Sequence, residues 1–307
     1  MRAGWAVMLA LAMLAGCTPG ELGPSPGRAT GARDPAQAVL LPTRHLLQDD
    51  LDAFARDAVP PALHARLDAA WRAGRTRWPL DELPFDERLP GLLGALAEPG
   101  AEGRLQQVFD HQFSGETAAL KAAAQGLGLF GARYLQREGD FSRAERLHYA
   151  QLVQAMARWG AAAPLGDPAL AKTAIPALAA AARATGLHGP ADFAKAGMDD
   201  SLRRLSAFQR ALKQVLGGYG LDLDATLSGL QAEVVDQQGD QARVRLRYTL
   251  AGSPVDAVVE ARRVDGRWYL ADFLRHAQDA VARAQPGMPA ATAGAARTGT
   301  AAPATQP

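Results

Sequence analysis

The sequence predicts an α+β fold, in which a mostly α-helical N-terminal part is followed by a small antiparallel four-stranded β-meander packed on a helix. Two observations carry this expectation. Up to Leu216 the apolar residues recur every three or four positions, which gathers them on one side of a helix, whereas from about residue 230 they alternate with polar ones. Short turns at Gly252-Ser253 and Asp265-Gly266 separate consecutive alternating runs, so neighbouring strands are antiparallel.

Taken in order, Leu47, Leu51, Phe54 and Ala58 form the first helical stripe, and Asp49, Asp50, Asp52, Arg56 and Asp57 are assigned to its wet face. Pro60-Pro61 stop and restart the chain before a second stripe of Leu63, Leu67, Ala70 and Trp71. From Arg75 to Pro90 the prolines at 79, 84 and 90 disfavour a regular element, and Trp78, Leu80, Leu83 and Phe85 are expected to hold a loop against the helices. Ala118 to Gln136 reads as a helix whose apolar face is Leu120, Leu127, Phe130 and Tyr134. Its glycines at 126, 128 and 131 each cost about 1 kcal/mol relative to alanine, which points to close packing or to a break near Gly126.

Ser142 and Glu145 have the spacing of a capping box for a helix over about residues 143–160, with Tyr149, Leu152, Val153 and Met156 on one face. Asp167-Pro168 opens another helix, Pro176 should kink it, and Gly186 ends it. Leu205, Phe208, Leu212, Val215 and Leu216 mark a last helix that stops at Gly217-Gly218. Strands are expected over about residues 230–237, 241–250, 255–264 and 267–272. In the second, Ala242, Val244, Leu246, Tyr248 and Leu250 share one face, while Arg243, Arg245, Arg247 and Thr249 share the other. A two-residue loop at Gly252-Ser253 would set Leu246 opposite Val259, Tyr248 opposite Ala257 and Arg245 opposite Glu260. The Asp265-Gly266 turn pairs Arg263 with Trp268, a contact with cation–π geometry.

This meander after a helix, ending in Val264-Asp265-Gly266-Arg267-Trp268-Tyr269-Leu270, resembles the sheets of cystatin-like and NTF2-like domains of exported bacterial proteins over about residues 199–275. The resemblance implies a sheet curled around a helix, whose hollow is a ligand pocket in several such domains. It carries no site residues across.

At the N-terminus, Arg2 precedes an unbroken small or apolar run from Ala3 to Gly16, the layout of a secretory signal peptide and short for a transmembrane helix. Leu14-Ala15-Gly16-Cys17 resembles the lipobox of bacterial lipoproteins. That resemblance implies that Cys17 receives a diacylglycerol and an N-acyl chain, and several buried chains hold a protein firmly where one would not. Thr18, standing where an aspartate would favour retention at the inner membrane, implies the outer membrane and its periplasmic face. The expected organisation is therefore a signal peptide (1–16) and a lipidated cysteine with its flexible tether (17–36). A helical domain (37–198), a helix-plus-meander domain (199–284) and an unstructured Ala/Thr/Gly/Pro tail (285–307) follow. The tether, taken as coil, reaches roughly 24 Å.

The chain has 33 Lys plus Arg against 32 Asp plus Glu, and loss of Arg2 with the signal evens the balance. Such neutrality gives no support to nucleic acid or to an anionic surface as a partner. The lipobox resemblance implies the bilayer, through acylated Cys17, as one partner, and an envelope protein is expected as another. Cys17 is the only cysteine, so no disulfide stabilises the fold. No cofactor, metal or catalytic residue is predicted. The histidines at 45, 64, 111, 148, 188 and 276 are scattered and read as lone surface residues. Asp49-Asp50-Leu51-Asp52 lacks the glycine and terminal glutamate of a calcium loop.

No serine lies in SxxK. The carboxylate pairs Glu138 with Asp140 and Glu116 with Asp110, and the grouping of Asp110, His111 and Ser114, are the candidates for hydrolytic chemistry. Arg243, Arg245 and Arg247, joined across the hairpin by Arg262, form a candidate anion-binding or partner-binding patch, partly opposed by Glu260 and Asp256. The function expected from all this is a non-enzymatic binding or interaction module of the cell envelope. The alternatives are a small-molecule carrier, its pocket enclosed by the meander and the 199–216 helix, and a carboxylate-dependent cell-wall hydrolase. Replacing Cys17 with alanine should abolish uptake of a metabolic acyl label and release the protein from the membrane fraction; a variant still labelled and sedimenting would remove the anchor.

Overall fold

The computed structural model describes residues 31–82, 88–137 and 141–285. The lipobox with Cys17, most of the tether, Leu83, Phe85, Glu138, Asp140 and the tail from residue 286 lie outside the described residues. Within them the chain is α+β, with eleven α-helices and one four-stranded antiparallel sheet. The helices are α1 (Gln37–Leu47), α2 (Leu51–Ala58), α3 (Pro61–Arg72), α4 (Leu89–Ala97), α5 (Ala101–Gln112), α6 (Thr117–Arg137), α7 (Arg143–Ala162), α8 (Pro168–Thr185), α9 (Pro190–Gly218) and α10 (Leu223–Ser228). The strands β1 (Gln231–Gln238), β2 (Gln241–Leu250), β3 (Ser253–Val264) and β4 (Arg267–Leu270) follow, and α11 (Ala271–Arg283) closes the described chain.

The stripe from Leu47 to Ala58 is divided between two helices. Asp49 takes a left-handed conformation (φ 51°) and the Asp50 side chain accepts from the Ala53 N–H, so the chain turns and α2 starts afresh. The expected wet face holds only in part: Asp50 and Arg56 are exposed, whereas the other aspartates are drawn inward. Asp49 is buried, with its carboxylate 2.7 Å from Lys213 Nζ and 2.9 Å from Arg210 Nε. Asp52 is buried beside Arg56, and Asp57 accepts from His45 Nε2 at 2.7 Å. α9 thereby clamps the α1–α2 junction, and Gln209 Nε2 also donates to the Leu46 carbonyl at 3.3 Å.

α9 is broken at Gly197, whose φ of 78° suits glycine. The break frees the Met198 N–H, which donates to Asp68 Oδ1 of α3 at 2.8 Å, while Trp71 Nε1 donates to the Phe193 carbonyl at 2.9 Å. The boundary expected between residues 198 and 199 falls at this break, yet one hydrophobic core running from Leu46 to Val281 crosses it. α4 and α5 were not anticipated, because their apolar residues are respectively too continuous and too sparse to show a period. Trp78 and Leu80 are buried, as expected of the wrapped segment.

The sheet order is β1-β2-β3-β4. The last turn is as expected, pairing Arg263 with Trp268. The turn before it is Ala251-Gly252 rather than Gly252-Ser253: both residues have positive φ (48° and 74°), the type I′ geometry of a two-residue hairpin. The register therefore slips by two residues, setting Leu246 opposite Ala257, Tyr248 opposite Val255 and Arg243 opposite Glu260. A two-residue slip leaves every side chain on its predicted face. The chain after Leu270 turns into amphipathic α11 instead of continuing β4 to residue 272, and buries Phe273, Leu274, Ala277 and Val281.

The apolar face of the sheet is not covered by α9, which packs on α2, α3 and α8. It is covered by α1 and by the end of the expected tether. Ala32 pairs with Trp268 through two backbone hydrogen bonds, and Ala38 and Val39 pack with Val244, Leu246 and Trp268. Phe208 and Leu212 belong to the helical core instead. β3 extends beyond β4, and the Gln151 side-chain amide of α7 occupies that edge, donating to and accepting from the Asp256 backbone at 2.9 Å.

α6 lies against α7 with its small residues inward. A Cβ at Gly128 would sit 2.5 Å from Ala157 Cβ, and one at Gly131 would sit 3.1 Å from Val153. Close packing is thus the role of these two glycines, whereas Gly126 faces open space. Leu127 and Phe130, expected in the apolar contact face, are exposed. Two substitutions should accordingly differ in sign in denaturant melts. Gly126→Ala should stabilise by about 0.5–1 kcal/mol through helix propensity, and Gly128→Ala should destabilise by about 1–2 kcal/mol by forcing α6 off α7.

Candidate functional site

Beneath the apolar face of the sheet lies a cavity of about 100 Å³. Its roof is Leu246, Tyr248, Val259 and Leu270, and its walls are Val39, Pro42 and Leu46 of α1, with Leu152 of α7 and Phe273 of α11. Thr226, Leu227 and Leu230, in and just after α10, close another side. The residues come from both ends of the chain, so no single segment could have shown the cavity.

One polar pair stands in this apolar lining. His148 Nε2 and the Tyr248 hydroxyl share a 2.7 Å hydrogen bond, and the imidazole stacks on Tyr149. Burial pushes the His148 pKa down to about 4 and that of Tyr248 up, so both groups are neutral at pH 7. A neutral donor and acceptor among apolar side chains suits a small apolar molecule bearing a hydroxyl or carbonyl.

Beside that pair is a charged wall. Glu145, 3 % exposed, accepts at Oε2 from the Ser142 N–H (2.7 Å) and from Arg275 Nη2 (2.5 Å). Its Oε1 lies 3.3 Å from His276 Nε2, and the other His276 nitrogen, Nδ1, donates to Glu82 Oε2 at 2.9 Å. Asp272 shares Arg275 at 3.2 Å. Burial would raise the Glu145 pKa, but His276, the Ser142 N–H and Arg275 outweigh it and hold the group below its ordinary value. Asp272 is pushed up to about 6 by burial and by the Glu145 charge. Burial lowers the pKa of His276, yet its hydrogen bonds to Glu145 and Glu82 carry it up to about 9. The cluster joins residue 82, α7 and α11.

Sequence reasoning used Glu145 only as a cap and took His45, His64, His148 and His276 for surface residues. All four are buried or half-buried with partners, His64 lying 3.2 Å from Asp199. The missed signal is the spacing Glu145, His148, Tyr149, Leu152, which places a carboxylate and an imidazole on an apolar helix face. Of the arginine row, Arg245 pairs with Asp256 at 2.5 Å, and Arg247 lies 3.5 Å from Glu233. Arg243 and Arg262 are exposed and line a shallow hollow with Glu260 and Asp236. Asp110 and His111 are exposed on α5, Asp110 accepting from Gln106 at 2.8 Å, and Glu116 is exposed before α6. Among the described residues no group of three or more His, Cys, Asp or Glu is placed to hold a metal ion, and no helix is long and apolar enough to cross a membrane.

The two buried histidines should shape stability on opposite sides of neutrality. His276, with a folded pKa above its unfolded value of 6.5, stabilises fully below pH 6.5, and about 3 kcal/mol is lost as pH rises toward 9. His148, with a depressed pKa, is stabilising above pH 6.5 and loses a comparable amount as pH falls toward 4. Melts of His276→Gln should lack the alkaline decline and melts of His148→Leu the acidic one; unchanged limbs would contradict the assignments. Compared with protein-family models, curated proteins and solved structures, the chain matches none.

Proposed function

We propose that the chain is an exported, lipid-anchored protein of the outer membrane's periplasmic face that acts as a non-enzymatic binding module. Its ligand site on this reading is the cavity beneath the sheet. The observation that carries the binding role is that cavity, mostly apolar, with the neutral His148–Tyr248 pair, Thr43, Thr226 and the charged wall as its polar groups. The lipobox residues and Cys17 support the anchor. About 100 Å³ is less than the roughly 150 Å³ that holds benzene in a dry protein cavity, and well below a drug-sized pocket. The ligand is therefore a very small neutral molecule, or the apolar end of a larger one whose remainder stays outside.

Catalysis by the charged wall is disfavoured by its own hydrogen bonds. Glu145 has both oxygens engaged by cationic groups and N–H donors, which leaves it poorly placed as nucleophile or base. The arginine row serves this reading as a solvated outer face, already part-neutralised by Asp256 and Glu233.

Titrating the full mature chain with 2-propanol, a hydroxyl-bearing molecule smaller than benzene, tests the site, followed through the chemical shifts of the lining methyl groups. Saturable one-to-one binding is expected, and Val259→Phe, which fills the cavity from its roof, should remove it. If 2-propanol does not bind and Val259→Phe only raises the melting temperature, the cavity is a packing void and the ligand-binding role falls.

A further inference from the structure

Among the described residues, no other element packs on the outer face of α6. Leu127, Leu129 and Phe130 are 70 %, 68 % and 67 % exposed, and the neighbouring Ala119, Ala122, Ala123 and Gly126 are exposed with them. A soluble surface rarely gathers so many apolar groups in three turns without a use for them. The opposite side of the helix is committed to α7 through Gly128 and Gly131, so α6 cannot roll to bury these residues.

We propose that this face docks on the bilayer, with Leu127, Leu129 and Phe130 entering the boundary between headgroups and acyl chains. This rests on the anchored reading for the nearness of the membrane, and two further observations select the occupant. The helix contains Lys121, Arg133 and Arg137 and no Asp or Glu, with Glu116 just before it and Glu138 just after. A helix whose own charged residues are all basic suits an anionic lipid surface, where long side chains keep their charge among the headgroups. Thirteen residues separate Cys17 from Gly31, where the chain joins the fold through a hydrogen bond from the Gly31 N–H to Asp57. As flexible coil that segment spans roughly 20 Å, and at most about 50 Å when extended. The anchored domain is thus confined within reach of the lipid surface, where even weak interfacial partitioning is populated.

The test uses the mature chain carrying Cys17→Ser, which removes both the anchor and the native thiol. Gly126→Cys, facing open space on the same surface, then takes an environment-sensitive fluorophore. Vesicles of phosphatidylethanolamine and phosphatidylglycerol should shift its emission to the blue, while the same label at exposed Gln214→Cys stays unchanged. Leu127→Glu combined with Phe130→Glu should weaken partitioning at least about tenfold, with the fold intact by circular dichroism. No shift with vesicles would overturn the proposal, as would a blue shift without lipid that tracks dimerisation in sedimentation, which would assign the face to a second copy. Binding of 2-propanol and acyl labelling are read separately, so failure here is distinguishable from failure of the binding or anchor readings.

Discussion

Glu145 is the constraint on which the arrangement around the sheet depends. A carboxylate 3 % exposed survives as a charge only because the Ser142 N–H, Arg275 and His276 surround it, and His276 in turn holds Glu82. Those partners come from a short 3-10 helix (Leu80–Glu82), the start of α7 and the second turn of α11. Their convergence sets the angle of α7 beneath the sheet. That angle brings His148 to Tyr248 and Gln151 to the open edge of β3, which define one wall of the cavity and protect the strand. Removing one member leaves a buried charge without compensation, which is more damaging than deleting an apolar contact of similar size.

The asymmetry between the two sides of α7 follows from composition. Toward the sheet it presents large and polar groups that leave a cavity. Toward α6 it presents Ala157 and Val153, which meet glycines at less than ordinary contact distance for a Cβ. Small residues at the α6–α7 contact let the backbones approach, and the large residues of α6 are left outward as a consequence. One helix pair thus supplies both the rigid wall of a buried site and an apolar outer surface.

Local chemistry made much of the fold legible. The capping box at Ser142, the Asp167 cap and Gly186 terminator, and the Asp265-Gly266 turn act within a few residues and appear in the structure where the sequence placed them. What failed was decided at long range. Asp49 is buried because Lys213 and Arg210 reach it from α9, and the β2–β3 register depends on Ala251 accepting a left-handed conformation that its residue type disfavours. The orientation of α6 turned on steric fit at Gly128 rather than on the apolar stripe. The cavity was legible only as an idea about the sheet, since its walls come from α1, α7, α10 and α11 instead of the helix expected there.

The most direct test of this account is the protonation state of the two buried histidines, read from imidazole nitrogen chemical shifts at pH 7.5. The account predicts that His276 is a doubly protonated imidazolium held between Glu82 and Glu145, and that His148 is neutral and bonded to Tyr248. A neutral His276 at that pH would mean that the charge cluster does not organise α7 and α11, and the derivation of the cavity wall would fail with it.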